Sequence, residues 1–92
     1  MGSDLKITSK SENINLQMES EIVYLMKDAV DNYKGFDFIT KRCQESFGGS
    51  WILIYYYKGK GCSFDMSFGF KSLKWIKLKY GSSNYYLFQI SE

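Results

Sequence analysis

Residues 48–57 read GGSWILIYYY and decide how the rest of the chain folds. Two glycines and a serine interrupt the preceding pattern, and the seven residues that follow are β-branched, aromatic or leucine. Such a run is typical of a β-strand. Because it is apolar on both faces, we expect the strand to be buried on both. The chain therefore changes from helical to extended structure at this point.

Two helices are predicted before this strand. Between positions 13 and 33, apolar side chains recur every three or four residues, which places them on one helix face. They are Met18, Ile22, Met26, Ala29, Val30 and Tyr33. Lys34 and Gly35 are expected to end this helix, because glycine accepts the left-handed conformation. A shorter helix is predicted from Phe36, with Asp37 capping its first turn. Its apolar face holds Ile39, Cys43 and Phe47.

Three more strands are predicted after the first, at residues 64–68, 73–80 and 85–90. Turns that contain glycine, at 58–61 and 81–84, separate them. Alternation along the third strand divides its side chains between two faces. One face holds Trp75, Lys77 and Lys79, and the other holds Lys74, Ile76, Leu78 and Tyr80.

The predicted elements form a single domain over residues 1–92. Residues 1–12 are polar and form either a flexible arm or a short edge strand, because residues 5–8 alternate apolar and polar side chains. The order of elements predicts the α+β class, with two helices packed on one face of an antiparallel β-sheet.

The composition argues against catalysis and in favour of an interface. Hydrophobic residues make up 45% of the 92 residues and aromatic residues 18%, which is more apolar surface than a core of this size can hide. The chain contains no histidine, the commonest general base. Cys43 and Cys62 are far apart and lack the spacing of a redox pair or a zinc site. We therefore expect no enzyme activity, no cofactor and no metal.

The location expected from the sequence is the cytoplasm. No charged and apolar leader opens the chain, and no apolar run approaches the roughly 20 residues that cross a bilayer. Two reduced thiols also suit that compartment. Neither secretion nor contact with a membrane is expected.

The charge is distributed unevenly. Residues 1–50 hold 6 basic and 8 acidic side chains, residues 51–92 hold 6 and 2, and the two halves therefore carry −2 and +4. An alternative function follows, a small nucleic-acid-binding module that uses the basic, aromatic second half, with Tyr55, Tyr56 and Tyr57 stacking on bases. Packing within a strand and at a dimer contact is the favoured interpretation of these tyrosines, and no nucleic acid is expected.

Several segments resemble the small homodimeric dynein light chain family. They are the helix at 18–33, Glu45-Ser46-Phe47, the entry Gly48-Gly49-Ser50-Trp51, and the closing Lys79-Tyr80-Gly81 and Tyr86-Leu87-Phe88. The similarity covers most of residues 6–91. The chain departs from the family after Trp51, where relatives have His-Cys and a later Thr-His-Glu, and the hairpin that follows is about five residues longer. Their dimer-contact histidine has no counterpart here.

This resemblance implies a non-catalytic light-chain subunit of a dynein motor or axonemal complex, in the cytoplasm on the microtubule cytoskeleton or in a cilium. It implies strand exchange between protomers, in a homodimer or in a heterodimer with another light chain. It also implies binding of intermediate- or heavy-chain peptides by strand addition beside residues 63–69.

The residues assigned to these contacts fall into two sets. The peptide-binding groove is predicted to include Ser63, Phe64, Asp65, Met66, Ser67, Phe68, Gly69, Phe36, Asp37, Trp75 and Lys77. The dimer interface is predicted to include Tyr55, Tyr56, Tyr57 and Phe64. Trp75, Lys77 and Lys79 would make the groove basic and selective for acidic peptides; alternatively, these lysines are simply solvated.

Overall fold

The computed structural model describes residues 5–57 and 74–91. Its elements are β1 (Leu5–Lys10), α1 (Leu16–Asp31), α2 (Phe36–Phe47), β2 (Ser50–Tyr57), β3 (Trp75–Tyr80) and β4 (Ser83–Ser91). The four strands form one antiparallel sheet in the order β1-β3-β4-β2. The predicted α+β architecture is confirmed. Residues 5–10 form a strand at one edge of the sheet that the described residues build, and the predicted strand at 64–68 lies outside those residues.

Helix α1 begins with a side-chain cap and is followed by a residue in the left-handed conformation. Asn15 caps its start, since the side-chain Oδ1 accepts a hydrogen bond from the Met18 amide at 2.9 Å. Its end was predicted wrongly. The residue with positive φ is Tyr33 at 55°, whereas Gly35 has an extended backbone with φ −67°. A tyrosine therefore occupies the left-handed position that the sequence assigned to glycine, at a cost of about 1–2 kcal/mol.

Helix α2 begins at the predicted residue, but Asp37 does not cap it. The N-cap is Gly35, which has no side chain to accept a hydrogen bond, and Asp37 lies within the first turn. The carboxylate still suits this position, because helix N-termini carry partial positive charge. Ile39 and Cys43 are fully buried and Phe47 packs against the core, so the predicted apolar face of α2 is confirmed.

The core lies between the two helices and one face of the sheet. Its largest fully buried side chains include Ile22, Met26, Ile39, Ile76 and Leu87. Burying an aliphatic side chain of this size contributes about 1.5–3 kcal/mol. The alternation predicted along β3 is confirmed, since Ile76 and Leu78 point into this core and Lys77 is exposed on the opposite face. No helix in the described ranges has the length and apolar character needed to span a membrane.

Strand β2 lies at an edge of the sheet, where the described residues pair it with β4 alone. Trp51 is buried, but Ile52 is 38% exposed and Tyr55 43%. The expectation of burial on both faces is therefore wrong within the described part of the chain. Among the described residues no strand pairs with the second edge of this eight-residue apolar strand, and such an edge offers backbone groups that another strand could pair.

Candidate binding site at the edge of strand β2

A corner of two glycines fixes where β2 begins. Gly48 and Gly49 have φ angles of 77° and 74°, in the region that L side chains rarely adopt. The Gly48 carbonyl accepts hydrogen bonds from Trp51 Nε1 at 2.9 Å and from Gln89 Nε2 at 3.2 Å. These hydrogen bonds connect the corner to the start of β2 and to the end of β4. They fix the position of β2 beside α2.

A surface pocket of about 300 Å³ lies between α2 and the start of β2. Helix α2 contributes Asp37, Thr40, Lys41 and Gln44, and β2 contributes Ser50 and Trp51. The helical residues are spaced three or four apart, which places them on one face of α2. They offer carboxylate, hydroxyl, ammonium and amide groups beside the strand edge. A side chain from a strand added at this edge could form hydrogen bonds with them.

Three aromatic rings form a cluster between α2 and the sheet. Phe36 lies 5.4 Å from Tyr55 and 5.6 Å from Tyr85, and the two tyrosine rings are 5.3 Å apart, all between ring centroids. Burial raises the pKa of the Tyr85 hydroxyl above its usual value. Phe36 and Tyr55 remain exposed at their outer edges. The cluster thus provides an accessible apolar surface beside the edge strand.

The face of the sheet turned away from the helices, which we call the outer face, also carries aromatic residues. Trp75 lies 6.0 Å from Tyr86, and Tyr86 lies 5.2 Å from Phe88, between ring centroids. Lys77 Nζ lies 5.0 Å from the Tyr86 ring and 5.8 Å from the Trp75 ring, a distance at which a cation is attracted to an aromatic face. Phe88 is opposite Trp75 on one side and Ile52 on the other. The apolar band therefore crosses the sheet to the β2 edge.

The structure divides the predicted groove residues between the two faces of the sheet. Phe36 and Asp37 lie with α2, beside the pocket and the aromatic cluster, whereas Trp75 and Lys77 lie on the outer face. Residues 63–69 are outside the described part of the chain, and the groove assigned to these residues remains a prediction.

The predicted dimer contacts are divided in a similar way. Tyr55 faces α2, where its ring meets Phe36, and Tyr56 is half-buried and points to the outer face, opposite Asn84. The side chain of Tyr57 and all of Phe64 lie outside the described residues. The sequence interpretation missed Thr40, Lys41 and Gln44, which line the pocket. Their helical spacing could have indicated a second, polar face of α2, but only the apolar face was considered.

Cys43 on α2 has a fully buried thiol. Burial raises the pKa of this thiol to about 12, so it stays protonated at physiological pH. No group of three or more acidic or cysteine side chains in residues 5–57 and 74–91 is arranged to hold a metal ion. What the β2 edge offers is hydrogen bonding and apolar contact.

The strand order, the two helices and the edge strand together define a dynein light chain-like fold, which confirms the resemblance predicted from the sequence. The dynein light chain-like domain of the Fasciola hepatica calcium binding protein FhCaBP2 is similar, with a TM-score of 0.76 and 15% identity over 100% of this chain and 97% of that chain. A second structure of that domain, from native crystals, also has a TM-score of 0.76 and 15% identity, over 95% of this chain and 91% of that chain.

A third structure with this fold is the dynein light chain-like domain of CsTAL3. Its TM-score is 0.69 at 15% identity, over 97% of this chain and 95% of that chain. No protein-family model matches the chain, and no curated protein sequence matches it. At this level of identity the likeness shows the fold.

Proposed function

We propose that this protein is a non-catalytic binding module that takes a second polypeptide along the edge of β2. The observation that carries the proposal is the position of β2, an eight-residue apolar strand at a sheet edge beside the α2 pocket. An added strand would gain main-chain hydrogen bonds from this edge. Its side chains would alternate between the pocket side and the outer face.

Both faces of the edge suit this arrangement. On the helix side an added strand would meet the polar pocket and the ring cluster of Phe36 and Tyr55. On the outer side it would meet Ile52, which is 38% exposed. Main-chain pairing supplies affinity without regard to sequence, and the alternating contacts supply selectivity. The site therefore suits a polypeptide in extended conformation.

The dynein light chain-like fold supports a narrower form of the proposal. In this form the protein pairs with a second light chain, by exchange of the segment at 63–69, and holds peptides of a dynein motor or axonemal complex. It would then be found on the cytoplasmic cytoskeleton or in a cilium. Two identical grooves on one dimer would give avidity for a bivalent partner.

A matched pair of substitutions tests the β2 site. Ile52→Lys introduces a charge beside the edge strand, and Leu16→Lys introduces the same charge at the start of α1, where the leucine is 77% exposed. Sedimentation velocity would measure association of the purified chain, alone and with a standard dynein light chain, in 50 mM and 1 M salt. We expect Ile52→Lys to abolish association and Leu16→Lys to leave it unchanged. A chain that is monomeric in every mixture and salt concentration would refute the proposed function.

A further inference from the structure

Strand β1 contains one residue more than the part of β3 with which it pairs. Ile7 lies opposite Leu78 in the register of the two strands. The next pair is Ser9 with Lys77, which leaves Thr8 without a residue of its own opposite it. Thr8 and Ser9 therefore share one partner. This arrangement is a β-bulge, which bends the strand that carries the extra residue and increases its twist.

Hydrogen bonds hold the bulge and define where β1 ends. The Thr8 hydroxyl donates to the Lys77 carbonyl at 3.3 Å. Beyond Lys10, the Ser11 amide donates to the Trp75 carbonyl at 2.9 Å, and the Trp75 amide donates to the Ser11 hydroxyl oxygen at 3.0 Å. A side-chain oxygen thus accepts the hydrogen bond that a strand carbonyl would accept, and the regular ladder ends there.

The bulge divides the second edge of β1, which no strand of the described residues pairs, into two short pieces. In a regular strand the N–H and C=O groups that face one edge come from every second residue, about 7 Å apart. A strand in register with one side of a bulge is out of register with the other side by one residue. Residues 5–7 and 9–10 are each shorter than the usual strand of about 5–6 residues. An added strand would therefore gain few main-chain hydrogen bonds.

Strand β2, at the opposite edge of the described sheet, lacks this interruption. Residues 51–57 of β2 pair one by one with residues 89–83 of β4, and the irregularity next to Ser50 places the extra residue, Ile90, in β4. Two of the six residues of β1 are lysines, whereas β2 has no charged residue. Bulges, lysines and short length all protect a sheet edge from further pairing. Of these two edges, only the β1 edge combines them.

We propose that the bulge at Thr8 closes the β1 edge to strand addition, so that the sheet cannot be extended from both edges at once. A sheet that accepts strands at both edges can join copies head to tail without limit, because such heterologous contacts need not close. One closed edge restricts association to the other edge. The inference goes beyond the proposed function, since it concerns the edge that the proposed function leaves unused.

A competing interpretation is that the bulge serves an ion pair. The extra residue places Lys10 opposite Ile76, whose side chain is buried against the helices, and Lys10 Nζ pairs with the Glu19 carboxylate of α1. Both partners are partly exposed, and such pairs contribute little to stability. Glu19→Gln removes the pair and leaves the bulge, so the two interpretations can be separated.

Deletion of one residue removes the bulge without shifting any other pair. Without Thr8, Ile7 and Ser9 become neighbours, and each keeps the residue that it already faces. Deletion of Ser9 instead places Thr8 opposite Lys77 and gives the same regular ladder. In sedimentation velocity, we expect both deletion variants to reach a weight-average mass at least about twofold that of the unaltered chain, rising with protein concentration. This growth should increase in 1 M salt, which screens repulsion between the lysines of neighbouring copies.

Two further variants identify the cause of the growth. Glu19→Gln should associate as the unaltered chain does, and growth in this variant would assign the effect to the ion pair and overturn the inference. Ile52→Lys, added to the deletion of Thr8, shows which edge the opened β1 edge meets. Loss of the growth indicates that β1 pairs with β2 of the next copy, and a persistent pair indicates that two β1 edges meet. Either result supports the inference.

Circular dichroism would establish that the deletion variants are folded, and if only one is folded, that one decides. A folded deletion variant that associates no more than the unaltered chain would overturn the inference. Loss of the fold in both would also overturn it, because the bulge would then be needed for folding. An unaltered chain that is monomeric in every mixture refutes the proposed function and leaves this comparison intact.

Discussion

Alanine at Gly49 should damage the fold far more than alanine at the adjacent Gly48. A Cβ at Gly49 would lie 2.0 Å from the Ser91 carbonyl oxygen and 2.6 Å from Gln89 Nε2. A Cβ at Gly48 would meet nothing within 4 Å. Both residues have positive φ, and Gly48, with ψ 174°, lies in a region that is essentially restricted to glycine, so both substitutions carry backbone strain of about 1–3 kcal/mol. Only Gly49→Ala also places the new methyl group in close contact with β4.

The extra cost at Gly49 can be estimated from what must move. The end of β4 must retreat by about 1 Å, because carbon atoms do not approach oxygen closer than about 3 Å. This movement disrupts the pairing of Ser91 with Ser50 and the hydrogen bond from Gln89 Nε2 to the Gly48 carbonyl. Each lost hydrogen bond is worth about 1 kcal/mol. Gly49→Ala should therefore cost about 2 kcal/mol more than Gly48→Ala.

Urea unfolding followed by far-ultraviolet circular dichroism measures this difference. With an m value of about 1–2 kcal/mol per molar urea, 2 kcal/mol corresponds to a midpoint about 1–2 M lower for Gly49→Ala than for Gly48→Ala. Tryptophan fluorescence should report the same order, since the Trp51 indole donates to the Gly48 carbonyl. Equal midpoints for the two variants would show that β4 does not pack against Gly49 as described.

Three further substitutions probe other features of the chain. Tyr33→Gly should raise the melting temperature by about 4–8 °C, since it relieves about 1 kcal/mol of strain at a side chain that is 96% exposed; Tyr33→Ala, which keeps the strain, should not. In a Cys62→Ser background, Cys43 should resist a thiol reagent at pH 8 until urea unfolds the chain, because burial raises its pKa to about 12. Hydrogen bonds from Lys34 and then Asn32 lower the pKa of Asp28. Its contribution to stability is therefore present above pH 3.8 and lost as pH falls through the lower folded pKa, so Asp28→Asn should destabilise the chain at pH 7 and have progressively less effect as the pH is lowered below 3.8.

Periodicity predicted the elements that pack against the core. The apolar stripe that includes Ile22 and Met26 located α1, and alternation at Ile76 and Leu78 assigned the two faces of β3 correctly. In both cases the side chains that repeat are the ones that are buried, so hydrophobicity alone carries the information. The same reasoning identified Ile39 on the inner face of α2.

The wrong predictions concern two features that a hydrophobic pattern does not determine: which strand lies at the edge of the sheet, and which residue ends a helix. The apolar run at 51–57 was expected to be buried on both faces, yet β2 lies at an edge and exposes Ile52. The sequence shows that β2 is apolar, whereas the order of the strands in the sheet decides whether β2 is central or at an edge. The left-handed residue at the end of α1 is Tyr33, because the amide of the next residue, Lys34, donates a hydrogen bond back to the Ala29 carbonyl, although glycine two residues later has the better intrinsic preference.

The side chains on the two faces of the sheet contribute very differently to the stability of the fold. Fully buried side chains such as Ile76 and Leu87 lie between the sheet and the helices, and their truncation should cost about 2–5 kcal/mol. Lys6, Lys77 and Lys79 lie on the other face, where a charge substitution usually changes stability by no more than about 0.5 kcal/mol. Exposed side chains of the outer face can therefore change without disturbing the fold. This separation allows a chain with only 15% identity to solved structures to keep their architecture.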